Sequence, residues 1–133
     1  MVSLTTPAGR IGWPAAPFDL LGTDGRRHTL ESVRGANGTV VMFICNHCPY
    51  VKAVAAKIVR DMTELRPHGV GSVAIMSNDP AAYPEDSFDN MSAFAVQHGF
   101  PFPYALDETQ DVGCAYGAVC TPDFFGFDRD LRL

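Results

Sequence analysis

Two kinds of hydrophobic pattern divide the chain. Thr39-Val40-Val41-Met42-Phe43-Ile44 is continuous, uncharged and largely β-branched, and Val70 to Met76 is a second uncharged run. Such runs mark strands buried on both faces of a parallel sheet. Between them, Val51, Val54, Ala55, Ile58, Val59, Met62 and Leu65 recur at helical spacing, while Lys52, Arg60, Asp61 and Glu64 take the other faces. This stripe predicts an amphipathic helix with Pro49 in its first turn and Pro67-His68-Gly69 at its end. A second stripe of Phe88, Met91, Phe94, Ala95 and His98 predicts a helix capped by Asp86 or Ser87 and stopped by Gly99.

Shorter signals complete the pattern. Gly22-Thr23-Asp24-Gly25 lies between two short runs, Phe18 to Leu21 and Arg27 to Leu30, and predicts a hairpin, with one helical turn over 30–33. Residues 1–17 read as loop, broken by Pro7, Pro14 and Pro17. Phe102 to Asp107 predicts a short strand, Thr109 or Asp111 to Tyr116 a short helix, and Phe124 to Phe127 another strand. Asp128-Arg129-Asp130 turns the chain into Leu131-Arg132-Leu133, read as the start of a further strand. Strands alternating with helices predict an α/β fold, a central sheet with helices on both faces.

Length and composition narrow the class. At 133 residues, with no repeat, linker or charge block, the chain reads as one domain spanning 1–133. A hydrophobic share of 47% excludes a disordered chain. The net charge of −5 and the lack of a basic run argue against nucleic acid or an anionic membrane as partner. No stretch approaches the ~20 apolar residues of a membrane span. Met1 to Arg10 has no apolar core of a secretory leader, so the expected compartment is the cytoplasm. There, four cysteines point to redox chemistry or metal before a structural bridge.

Cys45-Asn46-His47-Cys48-Pro49 is the segment with chemistry. Two cysteines separated by two residues, after a buried strand and at the start of a helix, suit a redox pair. The unpaired N–H groups and positive end of the helix dipole stabilise a thiolate there. Cys45, outside the helix and expected nearer solvent, is the predicted attacking thiol. Cys48, in the first turn, is the predicted resolving thiol. His47 between them adds a group that hydrogen-bonds or charge-stabilises the thiolate, and Lys52 adds positive potential. Thr121-Pro122 lies just before the last predicted strand, and local sequence alone makes Pro122 an ordinary strand-start proline.

With these segments the chain resembles the thioredoxin-fold redoxins, closest to a peroxiredoxin-like branch carrying C-N-H-C-P-Y-V. Matching segments are Ala16-Pro17-Phe18-Asp19-Leu20, Asp24-Gly25, Cys45 to Val51, Phe100-Pro101-Phe102-Pro103, Ala115-Tyr116-Gly117-Ala118-Val119 and Thr121-Pro122-Asp123-Phe124-Phe125. Together they cover most of residues 12–130. The resemblance implies a three-layer thioredoxin-like fold with a central mixed sheet and an N-terminal hairpin. It also implies a cis-Pro122 facing the sulfurs and a Thr121 backbone offered to substrate. Three departures stand out. Gly38 and Met42 occupy the places of the Pro and Thr of the peroxiredoxin Pro-x-x-x-Thr-x-x-Cys segment, which argues against efficient peroxide reduction. Thr39 stands where thioredoxins place an Asp. The C-terminal strand and helix of thioredoxins look truncated at Leu133, so one sheet face is expected to need another cover, such as a second copy in a homodimer.

The expected activity is therefore thiol–disulfide oxidoreduction by Cys45 and Cys48 through a mixed disulfide, without cofactor or metal. The substrate would be a disulfide-containing protein or small molecule. A reducing partner such as a thioredoxin/reductase system would recycle the pair. The alternatives are a metal or iron–sulfur site on Cys45 and Cys48, a non-catalytic redoxin-fold interaction domain, and a weak thiol peroxidase. Cys114 is expected in the core, and Cys120 is a candidate third redox thiol. Asp79, Glu85, Asp86 and Asp89 read as a solvated acidic loop and helix start. His28, His68 and His98 read as structural or exposed.

Overall fold

A computed structural model of the protein describes residues 11–79, 81–118 and 121–133. Its elements run β1 (Asp19–Gly22), β2 (Arg27–Thr29), α1 (Leu30–Val33), β3 (Gly38–Phe43), α2 (Pro49–Leu65), β4 (Val70–Met76), α3 (Phe88–His98), β5 (Tyr104–Leu106), α4 (Asp111–Tyr116) and β6 (Asp123–Asp128). Two short 3-10 turns, Arg66–His68 and Pro84–Asp86, follow α2 and precede α3. All six strands join one sheet in the order β2-β1-β5-β4-β3-β6. β3, β4 and β5 are parallel, and β1 and β6 run antiparallel to β5 and β3. This is the mixed sheet of a thioredoxin-like fold.

Period-2 alternation deals the strand residues to two cores. Val41, Phe43, Val73, Ile75 and Ala105 meet Phe125 and Phe127 on one face, with Val112 and Tyr116 of α4 packed against them. Met42, Ile44, Ala74, Met76 and Tyr104 face the other way, onto Val51 and Ile58 of α2 and Met91 and Phe94 of α3. The close passage at the amino end of β4 requires Gly71, since a Cβ there would lie 2.0 Å from the Val33 carbonyl oxygen.

Three local expectations change. Leu131 to Leu133 form no strand. Asp128 Oδ1 accepts Asp130 N–H and Arg132 N–H, and the tail folds back to a single bridge between Arg132 and Pro14. On the sheet face expected to need another cover, Leu131 is buried and Ala15, Tyr116 and Leu133 of the same chain pack partly buried against the core. Cys114 is exposed. On a helix of six residues, Val112, Gly113 and Tyr116 take the sheet side and turn position 114 outward.

Candidate active site

Strand register brings the redox segment and the proline loop together. Phe43 pairs with Asp123 in the antiparallel ladder of β3 and β6. Two residues beyond Phe43 is Cys45, and two residues before Asp123 is Thr121. Cys45 Sγ lies 3.3 Å from Thr121 Oγ1. Cys48 Sγ donates to the Thr121 carbonyl, also at 3.3 Å. One residue thus holds both sulfurs, and the Thr121–Pro122 peptide that follows is cis. Pro49 occupies the first position of α2 and Cys48 is its N-cap, one place earlier than expected, because proline needs no helical N–H partner.

Neither sulfur is at the surface. Cys45 is 1% exposed and Cys48 6%, so Cys45 is the deeper of the two, against the expectation that it lies nearer solvent. Both pack among Met42, Ile44, Met76 and Tyr104, near the carboxyl ends of β3 and β4. Burial pushes the Cys45 thiol up to about 11. The charge of Asp86 and of Cys48 adds to this, while hydrogen bonds from Thr121 and the Cys48 backbone oppose it. The helix end does not win here, because Cys45 stands three residues before the cap residue and desolvation of a thiolate outweighs a distant dipole. The resting Cys45 is a neutral thiol.

The acidic loop is the larger correction. Asp86 is 0% exposed, and its carboxylate is the centre of a polar network. Oδ1 accepts the Asn46 backbone N–H at 2.7 Å. Oδ2 accepts His47 Nδ1–H at 2.6 Å and Asn78 Nδ2–H at 3.0 Å. Asn46 is itself tied, donating its amide to the Glu85 carbonyl and accepting the Tyr104 hydroxyl at 2.9 Å. Tyr83 stacks on the His47 ring, centroids 5.0 Å apart and 6° from parallel. Ser87, next in sequence, takes the capping role for α3 by accepting Asn90 N–H, which leaves Asp86 to turn inward.

Cys45, His47 and Asp86 present a sulfur, a ring nitrogen and a carboxylate oxygen within 4.8 Å of one another. A soft metal would find three ligand atoms here. As the hydrogen bonds stand, both Asp86 oxygens and the Nδ1 of His47 are already engaged. Cys120 lies outside the described residues. His28 pairs with Asp24 at 2.9 Å, His98 packs on Phe94, and His68 is exposed.

The sequence profile of the AhpC/TSA family matches residues 11–133. The chain belongs to the AhpC/TSA family. Among solved structures, an uncharacterized conserved protein from Geobacillus kaustophilus is 51% identical over 98% of this chain and 68% of its own, with a TM-score of 0.91. A hypothetical protein from Sinorhizobium meliloti is 37% identical over 96% of this chain and 69% of its own, at 0.92. A secreted Mycobacterium tuberculosis disulfide oxidoreductase homologous to Escherichia coli DsbE shares the fold at 17% identity, 87% of this chain and 80% of its own, at 0.73. No curated protein matches the chain. Family and fold make the protein a redoxin of the oxidoreductase type with a neighbouring Cys45/Cys48 pair. No helix among the described residues is long and apolar enough to cross a membrane.

Sequence reasoning singled out Cys45, His47, Cys48, Thr121 and Pro122, and these converge. It missed Asp86, Asn78, Asn46 as a network member, and Tyr83. One usable signal existed. Asp86-Ser87 offers two helix caps in a row where a helix needs one, leaving the other free for a distant partner.

Proposed function

We propose that the protein is a thiol–disulfide oxidoreductase in which Cys45 attacks and Cys48 resolves. The observation that carries this reading is the shared hold of Thr121 on the two reduced sulfurs, 3.3 Å to each. Cys45 Sγ loses its proton and bonds to one sulfur of a substrate disulfide. The other substrate sulfur leaves as a thiolate and takes up a proton. Cys48 then gives up its proton, attacks Cys45 Sγ, and the second substrate thiol departs, protonated in turn. Two thiols become one Cys45–Cys48 disulfide and one substrate disulfide becomes two thiols. A dithiol reductant of the thioredoxin class closes the cycle in a reducing compartment.

Thr121 and Pro122 supply the platform for this chemistry. The carbonyl and hydroxyl of Thr121 sit on the sulfurs and are the groups a docking substrate displaces. Tyr50, 59% exposed in the first turn of α2, provides an apolar rim for the substrate chain. Substrate docking also has to open the site, since both sulfurs are buried.

The test uses glutathione disulfide with the full reduced chain. Wild type is expected to consume it and form Cys45–Cys48, Cys48→Ser to accumulate a glutathione adduct on Cys45, and Cys45→Ser to do neither. Turnover by Cys45→Ser at the wild-type rate removes the mechanism. Thiol-dependent loss of hydrogen peroxide without disulfide reduction moves the assignment to a peroxidase.

A further inference from the structure

The neutral, buried Cys45 needs a group to take its proton, and the fold has placed one. We propose that His47 is the proton acceptor for Cys45 and that Asp86 is the positioning residue that sets its tautomer and stabilises its charged form. This rests on the thiol chemistry proposed above and names its proton path.

Asp86 has no exposure and three donors, so its carboxylate is held from Asn46, His47 and Asn78 at once. Those donors come from two separate segments, the Cys45–Cys48 loop and the end of β4. A carboxylate accepts, so the 2.6 Å contact puts the imidazole proton on Nδ1. Nε2 is then the basic nitrogen. The ring is partly open to solvent and is clamped flat by Tyr83. Cys45 Sγ, a ring nitrogen of His47 and a carboxylate oxygen of Asp86 all lie within 4.8 Å of one another, which puts the imidazole beside the thiol.

In the step itself, the proton leaves Cys45 Sγ and arrives at Nε2, directly or by way of one water, as the new sulfur–sulfur bond forms. The product is an imidazolium whose Nδ1–H stays on Asp86 Oδ2. The buried negative charge that opposes a thiolate then faces a cation instead. The imidazolium hands the same proton to the departing substrate thiolate, so the pair returns to its starting state. Titratable groups packed around the pair are Cys45 and Cys48 from its own segment, Tyr83 and Glu85 from the loop before α3, and Tyr104 from β5. Burial, with the charge of Asp86 and that of Cys45 once ionised, holds Tyr104 well above its ordinary range, leaving its hydroxyl protonated.

Asp86→Asn separates positioning from packing. The amide keeps an oxygen for Asn46 N–H, but its NH₂ donates to Nδ1 and moves the imidazole proton to Nε2, where it blocks transfer. His47→Gln removes the acceptor at a half-buried position and leaves Asp86 in place. The measurement is iodoacetamide alkylation of Cys45 against pH, read by mass spectrometry in full-length reduced protein carrying Cys48→Ser. The unsubstituted network is expected to react through a plateau around neutral pH, and both variants to react about a hundredfold more slowly there. All three curves should converge above pH ~11, where hydroxide takes the proton without help.

Equal rates at neutral pH in a folded variant overturn the proposal. So does a loss of the same size at every pH, which marks a structural role. Should circular dichroism show Asp86→Asn unfolded, His47→Gln alone decides. Glutathione disulfide reduction in the Cys48-containing proteins separates the two claims. Turnover unaffected by either variant sinks the proton path and leaves the oxidoreductase reading. A neutral-pH plateau that needs Asp86, in a protein that reduces no disulfide, sinks the reading and keeps the proton path.

Discussion

Asp86 and Asp107 are both buried near the carboxyl edge of the sheet, and they do different work. Asp107 follows β5 and accepts Ser77 Oγ–H at 2.7 Å and Gly113 N–H at 2.8 Å. Its own N–H donates to Met76 O, so it ties β4, β5 and α4 together. Asp86 is just as deeply buried, but one of its donors is an imidazole and it lies against a thiol. Burial of a carboxylate is therefore no sign of function by itself. Both satisfy the rule that a buried charge must be hydrogen-bonded. What distinguishes them is whether a donor can change its protonation. Ser77 and Gly113 cannot do so at any accessible pH, and His47 can.

That contrast is open to direct attack. The largest effect is expected from Asp107→Ala, which strands the Ser77 hydroxyl and the Gly113 N–H and costs about 3 kcal/mol of stability. Urea unfolding reads that loss. The pH profile of Cys45 alkylation should stay that of wild type in the folded protein, and a changed profile would erase the distinction between the two sites. Asn78→Ala comes next. It removes one donor from Asp86 and should cost about 1–2 kcal/mol, with Cys45 alkylation at neutral pH slowed severalfold. Unaltered reactivity would put Asn78 in the same class as Ser77, a purely structural donor.

The smallest effect at neutral pH is the linkage of stability to Cys45 ionisation. Burial raises this thiol to about 11, whereas an unfolded cysteine ionises near ~8.5. The unfolded chain gives up the proton first. Stability from the neutral buried thiol is therefore complete below ~8.5 and is lost as pH rises through 11. Reduced wild type should show a falling unfolding free energy across that window, and Cys45→Ala should lack that component of the fall. Identical slopes would mean that the thiol is no harder to ionise folded than unfolded.

Much of the architecture was legible along the chain. The helical stripe from Val51 to Leu65, the two buried strands on either side and the Asp24-Gly25 hairpin are local patterns, and each element formed where its period predicted. The tail failed because Asp128 folds it into a turn through side-chain hydrogen bonds that no period records. Cys114 failed because the general tendency of free cysteine to be buried gives way, on a short helix, to the face its neighbours impose. Asp86 failed because an acidic residue before a helix has a ready local use as a cap.

From sequence alone came the alternation that builds an α/β sheet, the redox pair at the start of a helix, and the histidine between the two sulfurs. These depend on neighbours a few residues apart, whose spacing is written directly in the chain. The tertiary structure decided what surrounds the sulfurs. Thr121 reaches Cys45 across 76 residues of sequence, and Asp86 reaches His47 across 39. Such partners are chosen by strand register and by the packing of the loop before α3. The ionisation of a buried thiol is set by those partners and by exclusion of water. The same Cys-Asn-His-Cys segment exposed on a helix end would favour a thiolate. Folded against Asp86 and out of solvent, it holds a buried thiol with an imidazole beside it.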